Sequence, residues 1–231
     1  FYHWSNDGLI CESTRKTSFL KEPKYQTQVS NLELSNMSVI GIFEQSYIIC
    51  TNTMNNILYA IDQHACHERI NLENLLDHYV TDPFPSQELK NPIKLPINSN
   101  REFSSSTLKQ AKRWGWQISK LYVAKNKFSF NGVSWFLFSI PRVETYLVEE
   151  ISGLISYLEK IEHETNFDFN DIPDCIMHAL QTRACKKSIK FGDVISNERA
   201  QSLIIQLSQC KKPNYCAHCR TVAAPLIHLS T

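Results

Sequence analysis

The stretch Ile57-Leu58-Tyr59-Ala60-Ile61-Asp62-Gln63-His64-Ala65-Cys66-His67-Glu68-Arg69-Ile70 passes from a β-branched and aromatic run straight into a helical pattern. Residues 57–61 have strand composition, whereas residues 64–80 carry Ile70, Leu72, Leu75, Leu76 and Tyr79 at amphipathic-helix spacing. Asp62 stands at the junction. Upstream, residues 38–50 hold two more β-forming runs and residues 52–56 a polar turn, which predicts antiparallel strands joined by short connections. Downstream, Asp82-Pro83-Phe84-Pro85 stops the helix, because proline lacks an N–H and restrains the residue before it.

A new unit is expected after this stop. Residues 101–114 read as a helix and residues 116–123, 127–131 and 133–140 as strands, with Asn131-Gly132 a hairpin signal and Pro141 closing the sheet. Residues 147–161 are strongly amphipathic. Residues 86–165 therefore look like a self-contained α/β insertion. The last third predicts a helix over 173–185 with Pro173 in its first turn, and another over 197–209 with Ser196 as N-cap. Lys212-Pro213-Asn214 is a turn and residues 225–229 a final strand. Residues 1–36 have no sustained period and read as a poorly ordered lead-in. The class expected is α+β, with one unit made from residues 37–85 and 166–231 and the insertion between them.

Composition narrows the partners. Among 231 residues, 24 Lys+Arg balance 23 Asp+Glu, so a nucleic-acid site must be a local patch or a metal site. Apolar residues at 42% are ordinary for a globular chain, and no window nears 18 uninterrupted apolar residues, which excludes a membrane-spanning helix. The chain opens at Phe1 with neither an initiator Met nor a signal peptide and reads as part of a longer protein. Of the eight cysteines, Cys185, Cys210, Cys216 and Cys219 crowd into the last quarter, near His178 and His218. Such clustering suits thiolate metal ligands more than a disulfide framework, scattered buried thiols being the alternative.

Three segments carry metal-ligand chemistry. His64 and Glu68 stand four apart, on one face of a helix about one turn from each other, with Glu73 further along; a solvated charge pair is the plainer reading. Cys185 lies beside Arg183, Lys186 and Lys187, which favours thiolate, or else marks a basic helix end over a buried Cys. The third segment, Cys216-Ala217-His218-Cys219-Arg220, pairs sulfur with imidazole, a donor set that suits zinc.

Taken together, Asp62-Gln63-His64-Ala65 with Glu68 and Glu73, then Ala184-Cys185-Lys186, then Cys216-Ala217-His218 with Arg220, resemble the endonuclease-bearing C-terminal domain of the MutL family over about residues 37–231. Gln45 and Tyr47 in the upstream strands fit as well. His67–Ile70, Ser188-Ile189-Lys190-Phe191 and the Cys-Ala-His block are most similar to the meiotic MutL-gamma subunit. Cys219 replaces a usual Gly and Thr221 a usual Pro, which puts the local turn in question.

The resemblance implies a dimerisation subdomain built from both ends of the chain, an inserted regulatory subdomain, and a nuclear endonuclease that nicks one strand of duplex DNA. It implies a heterodimer with the MutL homologue common to the eukaryotic complexes. His64, Glu68, Cys185, Cys216 and His218 are the expected zinc ligands, and Asp62, with Glu68 and Glu73, the expected catalytic carboxylates serving Mn²⁺ or Mg²⁺. Arg183, Lys186, Lys187 and Arg220 would approach the DNA backbone. The insertion mixes Lys109, Lys112, Arg113, Lys120, Lys125 and Lys127 with aromatic residues, more in keeping with solvated lysines around a sheet core than with a nucleic-acid surface. Gln87-Glu88-Leu89 offers a fragment of a sliding-clamp contact and is expected to be a plain loop. Two rivals remain. One is a non-catalytic module in which Cys175, His178, Cys185, Cys216, His218 and Cys219 knot a structural zinc; the other is a pure dimerisation domain.

Overall fold

The computed structural model describes residues 28–52, 54–126, 129–163 and 171–229. Its elements run α1 (Asn31–Ser35), β1 (Met37–Phe43), β2 (Tyr47–Asn52), β3 (Ile57–Asp62), α2 (Gln63–Tyr79), β4 (Ser86–Lys94), α3 (Ser105–Arg113), β5 (Gln117–Asn126), β6 (Ser129–Val143), β7 (Tyr146–Leu147), α4 (Ile151–His163), α5 (Asp174–Lys187), α6 (Asn197–Ser208) and β8 (Ala223–His228). The fold is α+β, with antiparallel sheets and helices. Two compact units divide it: Phe1–Leu75 with Gln181–Thr231, and Leu76–Leu180. The division falls within α2 and α5 rather than in the loops beyond them.

In the first unit the strands lie in the order β1-β2-β3-β8, all antiparallel. Alternation along β2 sends Ile48, Cys50 and Asn52 inward, as the period of two requires. Ile48 and Cys50 join Tyr59, Ile61, Ala65, Cys66 and Ile70 in one core with Ala200, Leu203, Ile204 and Leu207. Those last four sit at i, i+3, i+4 and i+7, the buried stripe of α6. Ser196 caps that helix, its hydroxyl accepting from the Arg199 N–H, as expected. The apolar stripe expected of α2 accounts for only its second half. Its first two turns are buried as well, but with Gln63, His64, Glu68 and Arg69 among the enclosed residues.

Several local expectations need correction. Residues 28–36 are not a loose lead-in; residues 1–27 lie outside the described ones. Ser30 and Glu33 form a reciprocal capping box on α1. Asn31 Nδ2 donates to the carbonyls of Ser208 and Cys210, and Asn214 exchanges two hydrogen bonds with the Val29 backbone. Val29 and Leu34 enter the core.

The second unit has a sheet in the order β4-β6-β5, with β7 paired to β6. Its core includes Trp114, Trp116, Trp135, Leu137, Leu154 and Leu158. Residues 87–89 are part of strand β4, not a loop, because Gln87 and Glu88 pair with Ile140 and Ser139. Asn131-Gly132 is no hairpin turn. Asn126 pairs with Ser129, and Gly132 lies within β6, where two β6 residues face one of β5. Gly132 takes φ +108° there, the extra-residue bulge that glycine tolerates. Pro141 does not end the sheet either; it pairs with Ser86 inside β6. Lys120 pairs with Glu102, Arg113 with Asp82 and Arg101 with Glu159, so these cations are engaged locally. Lys127 lies outside the described residues. No helix among the described residues is long and apolar enough to cross a membrane.

Candidate metal centre

Strand β3 delivers Asp62 to the first turn of α2, where Asp62 Oδ1 accepts the Ala65 N–H at 2.8 Å. This is the geometry of a helix N-cap. Its own N–H is taken by the Val222 carbonyl at 2.9 Å, which ties the junction to the segment entering β8. One turn along α2, the i,i+4 pair His64 and Glu68 face each other, with His64 Nε2 3.2 Å from Glu68 Oε2. Glu68 is fully buried.

The two distant segments converge on that carboxylate. His218 Nδ1 lies 2.6 Å from Glu68 Oε1, and Cys185 Sγ lies 3.7 Å from His64 Nε2. Two triads result, His64–Glu68–Cys185 and Glu68–Cys216–His218, each with its ligand atoms within 4.8 Å of one another. Glu68 belongs to both. The turn bearing Cys216 is closed by Cys216 N–H to Arg220 C=O and Cys219 N–H to Cys216 C=O, while the His218 N–H donates to Cys216 Sγ at 3.2 Å. Cys219 takes φ +64°, the left-handed backbone for which glycine is the usual choice. All five expected ligands meet. Cys219 belongs to neither triad.

Electrostatics point the same way. Burial would raise the Glu68 pKa, but the His218 and His64 imidazoles outweigh it and hold the carboxyl well below the usual range. Hydrogen bonds to Cys216 and Glu68 push His218 up to about 10, and Glu68 raises His64 against the effect of burial. Positive charge is strongly favoured at this spot. Glu68 Oε2 nevertheless accepts no hydrogen bond among the described residues, His64 Nε2 standing within ion-pair range but outside hydrogen-bond geometry. A buried, under-coordinated carboxylate oxygen amid two imidazoles and two thiols fits a divalent metal with N, S and O preference, zinc foremost. Each triad supplies three donors, so Glu68 can serve one ion or bridge two.

The remaining expected residues divide. Burial raises the Asp62 pKa against the Ala65 N–H and the charges of His64 and Arg220. Arg220 Nη2 reaches to 3.8 Å from Glu68 Oε2 and is partly exposed. Lys186 and Lys187 are exposed on the last turn of α5, and Arg183 is half-buried. Glu73 is engaged elsewhere: its carboxylate accepts the N–H groups of Lys211 (2.7 Å) and Lys212 (3.0 Å) and faces Arg69. Of the rival zinc knot, Cys175 is buried in the second unit and His178 is exposed there. None of the seven described cysteines forms a disulfide, and Cys50, Cys66 and Cys210 are core residues.

Two contributors were given no structural role from sequence. Arg69, 4% exposed, donates to the carbonyls of Tyr215 (2.5 Å) and Cys216 (3.0 Å), lashing the third segment to α2. Gln63, fully buried, donates from Nε2 to the Gln45 carbonyl at 2.6 Å and also reaches those of Lys190 and Asp193. Charge next to a ligand motif was the one available hint for Arg69, and it is shared by many exposed arginines.

Comparison with known proteins bears on the family of the chain. The family model described as "MutL C terminal dimerisation domain" matches residues 40–195. The chain is 28% identical over 222 residues to the DNA mismatch repair protein MutL of Kosmotoga olearia, covering 96% of this chain and 33% of that protein. It is 27% identical over 197 residues to MutL of Clostridium tetani, covering 85% and 30%. With the DNA mismatch repair protein MLH3 of Saccharomyces cerevisiae it shares 25% identity over 230 residues, covering 87% and 32%. The chain thus spans about a third of the length of these curated relatives. On the extent of the family match, it belongs to the MutL C-terminal dimerisation domain family.

Proposed function

We propose that this chain is the endonuclease-bearing part of a MutL-type subunit. It nicks one strand of duplex DNA, in mismatch repair and meiotic recombination, as half of a nuclear heterodimer with the MutL homologue common to the eukaryotic complexes. The observation that carries the reading is Asp62, a carboxylate 8% exposed, at the head of the helix whose His64 and Glu68 meet Cys185, Cys216 and His218. His64, Glu68, Cys185, Cys216 and His218 would hold zinc, and Asp62 would serve Mn²⁺ or Mg²⁺, since hard cations prefer oxygen. Bound metal supplies Lewis acidity and lowers the pKa of water.

The chain's own residues do the rest. The Ala65 N–H fixes the plane of the Asp62 carboxylate, and burial makes that carboxylate a stronger proton acceptor for the attacking water. The exposed part of Arg220, with Arg183, Lys186 and Lys187, supports contact with backbone phosphates, which carry no sequence information. Dimerisation has support in the edge strands: Ile40 and Phe43 on β1 and Leu226 and Ile227 on β8 are exposed. The second unit is assigned the regulatory role. A sliding-clamp contact at residues 87–89 rests on the exposure of Gln87 and Glu88 on edge strand β4.

Complete burial of Glu68 and Cys216 favours a second reading, a zinc-stabilised dimerisation module without catalysis. Asp62→Asn separates the two. Assayed as the assembled heterodimer with Mn²⁺ on supercoiled plasmid, it abolishes nicking under the first reading, and wild-type nicking would remove Asp62 from the mechanism. Cys216→Ala lowers bound zinc in elemental analysis; full retention defeats the ligand assignment.

A further inference from the structure

His64, His67 and Asn71 lie at i, i+3 and i+7 of α2, one line along the helix. All three reach the two residues that follow α5. The Ile189 backbone is gripped at both ends. Its carbonyl faces His64 Nδ1 at 2.7 Å, and its N–H donates to His67 Nδ1 at 3.1 Å. One turn on, Asn71 Nδ2 donates to Ser188 Oγ at 3.1 Å, and that hydroxyl donates to the Ala184 carbonyl at 2.7 Å. A carbonyl only accepts, so His64 carries its proton on Nδ1 and presents Nε2 to Glu68 and Cys185. His67 uses Nδ1 as an acceptor, is therefore neutral at that atom, and belongs to neither ligand triad.

We infer that His67 is a positioning residue of the metal centre: it fixes the Ile189 backbone whose carbonyl orients the His64 ring, and with Asn71 it seats the turn adjoining Cys185. A metal-bound imidazole is ordinarily held in this way through its second nitrogen; here the acceptor is a main-chain carbonyl in a turn, which needs an anchor of its own. His67 supplies that anchor from the same helix face as His64. The inference rests on the metal-binding reading given above.

The test compares His67→Leu and His67→Asn in the intact chain. Asparagine places Oδ1 where histidine has Nδ1 and can accept the Ile189 N–H; leucine offers no acceptor there. Zinc affinity is read by competition with a chromophoric chelator, and ligand geometry by the charge-transfer and d–d bands of the Co²⁺-loaded protein. His67→Leu is expected to weaken zinc roughly 10- to 100-fold and to alter the Co²⁺ bands, and His67→Asn to restore most of both. Unchanged affinity and spectrum in His67→Leu would overturn the inference while leaving the metal site standing. Equal damage in His67→Asn would overturn it too, since the hydrogen bond is then not what matters. Asn71→Ala, which removes only the bond to Ser188, reads the same seat if His67→Leu does not fold; its affinity should fall several-fold, and wild-type affinity counts against the inference. Failure of the wild-type chain itself to bind Zn²⁺ or Co²⁺ defeats the metal reading and this inference together.

Discussion

Replacing Arg69 by Met tests whether the third ligand segment is held to α2 by a single buried guanidinium. Methionine fills a similar volume and removes every donor. The side chain makes two hydrogen bonds to main-chain carbonyls, at 2.5 and 3.0 Å, and stands 3.8 Å from Glu73. Hydrogen bonds from a charged donor contribute roughly 1.5–3 kcal/mol each, so the pair sets an upper bound near 6. Relief from burying a guanidinium offsets about half of this. Water can reach the half-buried Tyr215, whereas the carbonyl of Cys216, a fully buried residue, is left with only the Cys219 N–H. The expected net loss is about 3 kcal/mol, which for a chain of this size corresponds to roughly 6–12 °C in thermal midpoint. Arg69→Lys, able to reach one carbonyl, should lose about half as much. The assay is denaturation of zinc-free protein in chelator, with amide exchange at Cys216 and Val222, whose N–H groups close this turn. A loss under about 0.5 kcal/mol, or unchanged exchange at those amides, would refute the reasoning, because the segment would then be held by other contacts.

Cys219→Gly should raise stability by about 1 kcal/mol, since a left-handed φ of +64° strains any side chain there; a lower melting temperature would mean the thiol contributes more than the strain removes. Gly153→Ala should destabilise the second unit by about 1–3 kcal/mol despite alanine's better helix propensity. An added Cβ would meet Cys175 Cβ at 2.7 Å and Sγ at 2.8 Å, and a gain on calorimetry would show that α5 can shift aside. Burial pushes the Cys50 thiol up from about 9 to about 12, so the folded state holds its proton while the unfolded chain releases it. Its stabilising contribution is complete below pH 9 and lost as pH rises towards 12, by up to about 1.4 kcal/mol per pH unit. Cys50→Ala should therefore flatten the fall in urea midpoint between pH 9 and 11, and an identical slope in both proteins rejects the argument.

Where local pattern decides conformation, the chain could be read directly. The run into α2, the Ser196 cap and the stripe of α6 are each set by neighbours within a few residues. Strand β4 was missed because Ser86–Lys94 is almost wholly exposed and shows no alternation. Asn131-Gly132 misled because a β-bulge and a hairpin turn ask for the same positive φ. The short helix α1 is stabilised by contacts with residues about 180 positions away, which no local window contains.

The same division runs through the candidate metal centre. Residue type marked the three segments, and the resemblance to the MutL family named His64, Glu68, Cys185, Cys216 and His218. Folding decided which atoms face which. It placed both oxygens of Glu68 between two imidazoles, turned Glu73 away to cap residues 211 and 212, and recruited Arg69 and His67 as supports. Those roles depend on hydrogen bonds to backbone carbonyls and N–H groups, which every residue possesses, so no pattern of side chains announces them.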